Sequence, residues 1–385
     1  MDPRHNPYNP GAGCMPPLLV GREDVLEELK VLLDRFKHGL SGKSIMLYGL
    51  RGVGKTVLLT QAARYAKDHG FHIISLEASE GNAMAPSIIQ SLKRILYELK
   101  PVSLVRHALM VLCSFIKSVK LGSIEVGVEA AKGYADSGNL PKDLTDLFVA
   151  VGTAAKAAKA GITIIVDEVH TLNKEDFCAL ITAMHKMQQD QLPITLIAAG
   201  LPTLVRIAGE ARSYAERLFN MREIGNLCYE DAAKALEGPL HTCKASISAD
   251  ALQYIIEHVH GYPYFLQEWG AKIWNQAASA SITLNDVISA KTKVYHSLDE
   301  SFYRVRYDRL TMREKEFMRS MAILQAESVT INDLAKVMET KVTSLSTIRD
   351  RLIQKGMIYS PKRGYLTYSV PLFGDYLLRT LSDMQ

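Results

Sequence analysis

A glycine-rich segment of eight residues constrains the fold of this chain more than any other feature. It fits the pattern G-x-x-x-x-G-K-[ST] and reads Gly49-Leu50-Arg51-Gly52-Val53-Gly54-Lys55-Thr56. An apolar run at residues 44–48 precedes it, and residues 57–69 have the apolar spacing of a helix that ends at Gly70. This order of strand, glycine-rich loop and helix predicts a phosphate-binding P-loop. It disfavours the alternative of a chance glycine-rich turn.

The predicted P-loop assigns roles to its residues. Backbone N–H groups of the loop would surround the phosphates of a nucleoside triphosphate at the positive end of the following helix. Lys55 would reach the β- and γ-phosphates, and the Thr56 hydroxyl would hold Mg²⁺. The other residues of this segment that are expected to line the bound nucleotide are Gly49, Leu50, Arg51, Gly52, Val53, Gly54 and Val57. The sequence therefore predicts ATP and Mg²⁺ as ligands.

A second motif lies at the end of another apolar run. Residues 162–166 have the composition of a buried strand, and Asp167 and Glu168 follow them directly. In a protein with a P-loop, this is the position of the carboxylate that holds the Mg²⁺ shell, here Asp167. Glu168 would orient or deprotonate the attacking water, so Glu168 and Lys55 are predicted as catalytic residues. A solvated acidic loop is the alternative, and the presence of the P-loop disfavours it.

Two further apolar runs, at residues 71–76 and 194–199, give at least four candidate parallel strands. Because helical segments separate them, we predict an α/β fold with a doubly wound parallel sheet and the nucleotide at the carboxyl ends of its strands. Residues 87–142 are interpreted as an insertion into this alternation. The insertion is predicted to contain helices at residues 88–99 and 104–119 and a short strand or hairpin at residues 123–129.

The second half of the chain is predicted to form two smaller domains. Three apolar stripes of helical spacing between residues 229 and 281 indicate an all-α lid. From residue 310 the elements are those of a winged helix-turn-helix domain: a helix capped by Thr311, a strand at 329–331, a helix at 332–339, a helix capped by Ser344 and a hairpin around 361–364. We therefore expect domains at residues 1–228, 229–290 and 291–385.

The composition is that of a globular protein. With 385 residues the chain is long enough for two or three domains, and no apolar run approaches the roughly 20 residues that span a bilayer. The five cysteines are scattered without a C-x-x-C pair, which supports neither a zinc site nor a disulfide framework. The N-terminus does not have the layout of a secretory signal. We expect a cytoplasmic protein without a membrane partner.

Positive charge is concentrated near the C-terminus. Residues 291–385 contain 16 lysines and arginines and 11 aspartates and glutamates. The rest of the chain contains 29 basic and 30 acidic residues of these types. A local basic surplus is typical of a region that contacts an anionic partner such as DNA. The candidates for phosphate or base contacts are Ser346, Thr347, Arg349 and Arg351 on the predicted third helix, with Lys362 and Arg363 on the wing. The alternative is an ordinary solvated helix face, on which part of the charge pairs with Asp350.

Together these motifs resemble those of the AAA+ superfamily, in particular the branch shared by the origin-recognition (replication-initiator) ATPases and the STAND signalling NTPases. Leu19-Val20-Gly21-Arg22-Glu23 is similar to the hhGRE element of that branch, whose apolar residues line the adenine pocket. Gly261-Tyr262-Pro263 is similar to the G-x-P motif that opens a lid helix in STAND proteins and places a proline against the base. The resemblance covers about residues 16–279 and the C-terminal domain. It implies nucleotide contacts from Val20, Gly21, Arg22 and Pro263.

The sequence departs from the origin-recognition pattern in two places. The sensor arginine of that family follows the lid glycine, and the corresponding residues here are Pro263, Tyr264 and Phe265. A polar sensor residue is expected after the fourth strand, but residues 197–202 contain no asparagine or serine. Both differences favour a slow nucleotide-dependent switch over a fast motor. The resemblance also implies an arginine finger that acts on a neighbouring subunit.

Arg217 is the expected arginine finger, and Arg212 and Arg222 are its competitors. The alternative for Arg217 is an ordinary surface arginine without a catalytic task.

We therefore predict an ATPase that uses its nucleotide state to control a DNA-bound assembly. The expected partners are ATP or ADP, double-stranded DNA, further copies of the chain and an effector protein. The main alternative is a STAND-like signalling NTPase whose winged helix binds protein. The missing sensor arginine favours this signalling alternative, and the basic residues of the predicted wing disfavour it. A metabolic P-loop kinase is a third alternative, in which a winged helix has no obvious place.

Overall fold

The computed structural model describes residues 1–100, 102–121, 126–212 and 214–382. Contacts divide this part of the chain into two compact units. The sheet unit contains residues 23–48 and 55–223, and the helical unit contains residues 1–22, 49–54 and 224–382. The three-domain division made from the sequence stays a prediction. None of the described helices is both long and apolar enough to cross a membrane.

The sheet unit is built on five parallel strands in the order β2-β3-β4-β1-β5. Their bounds are β1 Ser44–Tyr48, β2 His72–Glu77, β3 Ile162–Asp167, β4 Ile194–Gly200 and β5 Phe219–Glu223. The register pairs Ile45 of β1 and Ile165 of β3 with Ile197 of β4, so the three central strands present apolar side chains to the flanking helices. The four strands predicted from apolar runs are confirmed, as is the parallel α/β fold.

The fifth strand, β5, was missed by the sequence analysis. It reads Phe219-Asn220-Met221-Arg222-Glu223 and, among the described strands, pairs with β1 alone, at the edge of the sheet. An edge strand is covered less completely than a central one and therefore tolerates polar residues. Its sequence does not show the continuous apolar run by which the other strands were recognised.

Eight helices accompany this sheet in the described part of the sheet unit. Their bounds are α1 Glu23–Lys37, α2 Lys55–Asp68, α3 Ala85–Glu98, α4 Val102–Ser118, α5 Leu140–Ala157, α6 Lys174–Gln189, α7 Thr203–Ala211 and α8 Ala215–Leu218. The Asn173 side chain caps α6, because it accepts a hydrogen bond from the N–H of Asp176.

The insertion shares the main hydrophobic core. Helices α3 and α4 confirm the two predicted helices, and their residues Leu92, Leu112 and Phe115 belong to the same buried cluster as Phe148 of α5. The predicted strand or hairpin at residues 123–129 is only partly testable, since residues 122–125 lie outside the described residues. Residues 126–129 contain no strand, and Val126 is instead buried in the core. Alternating apolar residues therefore marked a loop anchored in the core.

A buried carboxylate, Asp143 in the first turn of α5, connects this insertion to the core. Its two oxygens accept hydrogen bonds from the hydroxyls of Ser118 and Ser137 and from the N–H groups of Ser137 and Gly138. Burial acts to raise the pKa of the Asp143 carboxyl, but these hydrogen bonds outweigh it and leave the pKa below its ordinary value.

Replacing Asp143 with alanine is expected to lower the free energy of unfolding by about 2–4 kcal/mol at pH 7, because buried donors lose their acceptor. A carboxyl whose pKa is lowered by folding stabilises the protein above its unfolded pKa of about 3.9, and this contribution disappears as the pH falls through the folded pKa. Urea unfolding at pH 7 and pH 3 measures both effects. Asp68→Ala, at an exposed helix end, is the control. Equal stability of Asp143→Ala and wild type at pH 7 would contradict the role of this carboxylate.

The helical unit begins with the three predicted lid helices, α9 Tyr229–Thr242, α10 Ala249–Val259 and α11 Pro263–Gln276. Two short parallel strands that were not predicted, β6 Ser246–Ile247 and β7 Ser281–Ile282, pair beside them. Helix α12 (Leu284–Leu298) continues through a π-helical segment (Asp299–Arg304) into α13 (Val305–Tyr307). Trp269 and Trp274 are buried in the core of this unit.

Residues 1–22 also belong to the helical unit, and their first part lies along two lid helices. The Tyr8 hydroxyl donates a hydrogen bond to the carbonyl of Leu236 in α9, and the ring is 6% exposed. The Asn6 side chain donates to the carbonyl of Ala271 in α11. Because these bonds depend on residues far apart in sequence, no local pattern indicated them.

The C-terminal part contains four helices and a three-stranded antiparallel sheet in the order β8-β10-β9. The bounds are α14 Met312–Ile323, β8 Val329–Thr330, α15 Ile331–Val337, α16 Val342–Gln354, β9 Ile358–Tyr359, β10 Tyr365–Tyr368 and α17 Phe373–Ser382. Thr311 caps α14 as predicted. The predicted cap at Ser344 is wrong, because Lys341 provides the extended residue before α16 and Ser344 lies within its first turn.

Candidate functional site

The loop between β1 and α2 has the backbone geometry that the P-loop motif requires. Gly52 and Gly54 have φ values of +79° and +99°, a region that favours glycine. A Cβ atom at Gly52 would also collide with the Tyr262 hydroxyl. Two positive-φ positions within three residues bend the chain into a concave turn. Such a turn directs N–H groups at an anion and leads into the N-terminus of α2.

Arg22 is placed against the P-loop within the helical unit. Its side chain is 9% exposed, and its guanidinium donates to the carbonyls of Gly21, Val53 and Gly225. Arg22 therefore fixes the loop to the segment that leads into the lid, a contribution that the hhGRE resemblance did not specify. Val20 is partly exposed beside it. Nucleotide contacts from Val20, Gly21 and Arg22 stay predictions.

The lid motif also lies in the helical unit. Pro263 is the first residue of α11, where its missing N–H costs nothing, and Tyr262 is the N-cap residue. The N–H of Leu227 donates to the carbonyl of Gly261 at 2.9 Å. The motif therefore does form a turn with proline at the helix start. The contact between Pro263 and an adenine base stays a prediction.

In the sheet unit, the first turn of α2 meets the carboxyl end of β3. The Thr56 hydroxyl donates to Oδ2 of Asp167 at 2.6 Å, and the N–H of Glu168 donates to Oδ1 of the same carboxylate at 2.8 Å. Lys55 is the first residue of α2 and is 6% exposed. These positions follow from the parallel sheet, because the carboxyl ends of β1 and β3 lie at the same edge.

The Thr56 and Asp167 oxygens fit a divalent cation of the kind predicted. Mg²⁺ prefers oxygen ligands, and P-loop proteins provide one hydroxyl and one carboxylate of this type. When bound, Mg²⁺ would neutralise charge that develops on the β- and γ-phosphate oxygens. Thr56 and Asp167 would hold it, and the bond between them shows that the two oxygens already lie close together.

Glu168 has an unusual backbone conformation. Its φ of +49° lies in the left-handed region, which is uncommon for a residue with a side chain and costs on the order of 1–3 kcal/mol. The surrounding bonds hold this conformation: its N–H bonds to Asp167, and its carbonyl accepts the N–H and hydroxyl of Thr171. Strand β3 therefore ends at Asp167, and these bonds hold the turn that follows it.

His170 is a residue of this site that the sequence analysis missed. Its Nδ1 accepts the N–H of Leu201 at 3.2 Å, directly after β4, and lies 3.4 Å from Oε2 of Glu168. His170 therefore joins the Glu168 turn to the end of β4, where a polar sensor residue was expected. A lone histidine after a strand gives no local signal of such a contact.

The three candidate arginine fingers differ in their surroundings. Arg222 pairs with Asp24 at 2.5 Å and with Glu28 at 3.0 Å, so its charge is already compensated within the sheet unit. Arg212 and Arg217 are exposed, and neither side chain has a hydrogen bond or ion pair to any residue that the structure describes. These contacts weigh against Arg222 and leave both Arg212 and Arg217 as candidates, with Arg217 on α8.

The candidate DNA-binding residues of the C-terminal part also differ. The Arg349 guanidinium donates to Oδ1 of Asp350 at 2.8 and 2.9 Å, as the alternative of a solvated helix face anticipated. The Lys355 side chain pairs with Glu314 at 2.7 Å and serves to hold α16 on α14. Arg351 and Arg363 are exposed, and Lys362 lies 4.0 Å from the centroid of the Tyr365 ring.

Family comparisons agree with this geometry. Residues 18–197 match the family model described as an AAA ATPase domain. Residues 300–377 match one described as a domain of unknown function (DUF8462). The comparison with curated proteins finds no match.

Solved structures give a likeness of fold. The chain is similar to the Walker-type ATPase PABY2304 of Pyrococcus abyssi, with 13% identity, a TM-score of 0.57 and coverage of 94% of this chain and 96% of that one. It is also similar to the Aeropyrum pernix ORC1 protein in complex with DNA (14% identity, TM-score 0.46, coverage 96% and 95%). A third is the Thermotoga maritima RuvB Holliday junction branch migration motor (16% identity, TM-score 0.44, coverage 90% and 92%). The parallel sheet and its flanking helices are those of a P-loop AAA+ core.

Proposed function

We propose that this chain binds ATP and hydrolyses it slowly with Mg²⁺, and that the nucleotide state controls an assembly on double-stranded DNA. One observation carries the ATPase part. The Thr56 hydroxyl bonds to Asp167 at 2.6 Å, and the next residue, Glu168, stands in a left-handed turn that aims a second carboxylate. A hydrogen bond with a purely structural task would require neither the strained residue nor the adjacent P-loop.

The proposed reaction uses three side chains of the sheet unit. Lys55 binds the β- and γ-phosphates and holds their negative charge. Glu168 orients the attacking water or accepts its proton as the new bond to the γ-phosphorus forms and the bond to the bridging oxygen breaks. ADP and phosphate leave. The contact of His170 with Leu201 keeps the Glu168 turn fixed to β4, which supports a role in positioning Glu168.

The DNA part rests on the C-terminal elements and their charge. Their order is helix, strand, helix, helix and hairpin, which supports a winged helix with α16 as the recognition helix. Arg351 and Thr347 are exposed on α16, and Lys362 and Arg363 lie at the hairpin tip. We assign these side chains to phosphate and base contacts, with Arg349 available after it leaves Asp350.

Arg217 supports the proposal of a homo-oligomer. An exposed arginine without a partner among the described residues suits a finger that reaches the nucleotide of a neighbouring copy, where it would stabilise the charge of the transition state. The output would then pass to an effector protein that recognises one nucleotide state of the assembly.

ATP hydrolysis with and without duplex DNA, at two salt concentrations, tests this function. We expect stimulation by DNA that fades as salt is added and is absent in Lys55→Ala. The double variant Arg351→Ala/Arg363→Ala should reduce the slope of log affinity against log salt by about 2, because each lost phosphate contact removes about 0.9. Lys244→Ala, an exposed lysine of the lid, is the matched control.

Two results would argue against DNA control. One is slow turnover that DNA leaves unchanged, with nucleotide retained tightly. The other is equal salt dependence in wild type and the double variant. Either result would favour a switch whose C-terminal domain binds protein.

A further inference from the structure

A cavity of about 470 Å³ lies in the sheet unit, at the edge of the sheet opposite to Thr56 and Asp167. Small-molecule sites in proteins have volumes of about 300–1,000 Å³. Because the strands are parallel, their amino ends meet at this edge, and each strand contributes its first residue or the residue before it to the lining. These lining residues are Ser44, Phe71, Gly161, Ile194 and Leu218.

Four helices, α1, α2, α5 and α6, end at this edge with the same hydrogen-bonded turn. The residues of positive φ in these turns are Gly39, Gly70, Lys159 and Gln191. In each turn, the N–H of the next residue bonds at 2.9 Å to the carbonyl five residues earlier, as in the Schellman motif. The residues that donate these bonds all line the cavity, and they are Leu40, Phe71, Ala160 and Leu192. The lining is therefore fixed by backbone bonds, so a ligand would find a preformed site.

Buried apolar side chains form the inner wall of this cavity. Met184 and Met187 of α6 line it together with Phe71, and all three are buried. A Cβ atom at Gly161 would collide with the Phe71 ring, so the glycine allows the ring to lie across the start of β3. Methionine side chains are flexible and adapt to ligands of different shape. The inner wall therefore suits the apolar body of a ligand.

Three lysines stand around this apolar wall. Lys37 is the last residue of α1, and Lys156 and Lys159 lie at the end of α5. All three are exposed, and their ammonium groups have no hydrogen bond or ion pair within the part of the chain that the structure describes. The described residues that line the cavity include no aspartate or glutamate. A helix C-terminus offers only about half a negative charge, so the lysines leave a positive potential at the mouth of the cavity.

We propose that this cavity binds a small organic anion with an apolar body, of the class of aliphatic carboxylates. The hydrocarbon chain would lie on Met184 and Met187, and the carboxylate would accept charge-assisted hydrogen bonds from Lys156 and Lys159. A cation with the same chain would be repelled by the lysines. The site lies at the opposite edge of the sheet from Asp167, so it is independent of the proposed function.

Titration calorimetry with decanoate and with decyltrimethylammonium, both below their micelle concentrations, tests the choice of ligand. Wild type should bind one decanoate per chain, and decyltrimethylammonium should bind at least about tenfold more weakly. Lys156→Ala/Lys159→Ala should weaken decanoate binding by about five- to thirtyfold. The matched control is Lys142→Ala/Lys174→Ala, which removes two exposed lysines from the first turns of α5 and α6. It should bind decanoate as wild type does.

Methyl NMR of methionine-labelled wild type locates the ligand without any substitution. Decanoate should shift the methyl resonances of Met184 and Met187, which line the cavity. Met312, which is 79% exposed in the C-terminal part, should keep its resonance.

Three results would overturn the inference. The first is no binding of decanoate, and the second is binding that leaves Met184 and Met187 unshifted. The third is equal affinity for decanoate and decyltrimethylammonium, which would show that the lysines do not select the charge of the ligand.

Discussion

Lys55→Ala is expected to lower the affinity for ATP by about a hundredfold or more. Lys55 begins α2 directly after the glycine turn and is 6% exposed, so little solvent competes for its ammonium group. Each charge-assisted hydrogen bond contributes about 1.5–3 kcal/mol, and the lysine is assigned to two phosphates. Titration calorimetry with ATP in the presence of Mg²⁺ measures the change.

The matched control is Lys67→Ala, near the exposed end of the same helix. It removes the same charge without touching the P-loop, and it should bind ATP as wild type does. If Lys55→Ala and wild type bind ATP with affinities that agree within about threefold, Lys55 does not bind the phosphates and the proposed mechanism is contradicted.

Glu168→Gln is expected to reduce kcat by about 10²- to 10⁴-fold and to change ATP affinity by only a fewfold. Glutamine keeps the shape of the side chain and the turn at φ +49°, but it cannot accept the proton of the attacking water. Single-turnover hydrolysis and nucleotide binding, measured on the same preparation, separate the two quantities. A variant that traps bound ATP is the expected outcome.

Glu210→Gln provides the comparison for this experiment. Glu210 is exposed on α7 and, among the residues that the structure describes, pairs with Arg206 alone, so its loss should leave hydrolysis unchanged. Hydrolysis by Glu168→Gln at the wild-type rate would assign the proton transfer to another group and leave Glu168 a structural role in the turn.

Local sequence predicted the elements that carry their own signals. The P-loop could be recognised because it needs glycine at positive φ, as at Gly52 and Gly54. Strands β1 to β4 could be recognised because central parallel strands are apolar on both faces. The helix start after Thr311 could be recognised because a capping side chain lies next to the N–H group that it satisfies.

Other features could not be predicted, because their cause lies far away in the sequence. Strand β5 is polar enough to pass for a loop, and only its pairing with β1 makes it a strand. Helix α16 begins before Ser344, because its position is set by burial of Leu345 and Leu352 rather than by the nearest capping residue. The alternation of apolar and polar residues at positions 123–129 suggested a strand. The described residues of this stretch, 126–129, form a loop in which Val126 is buried in the core.

The sequence by itself therefore determined the chemistry that this protein has available: a P-loop lysine, a hydroxyl, and two carboxylates after a buried strand. Each of these depends on neighbours within a few residues. Only the tertiary structure decided which distant side chains complete the site. His170 bonds to Leu201 after β4, and Arg22 bonds to the carbonyls of Val53 and Gly225. Such contacts arise from packing and leave no periodic pattern in the residues that make them.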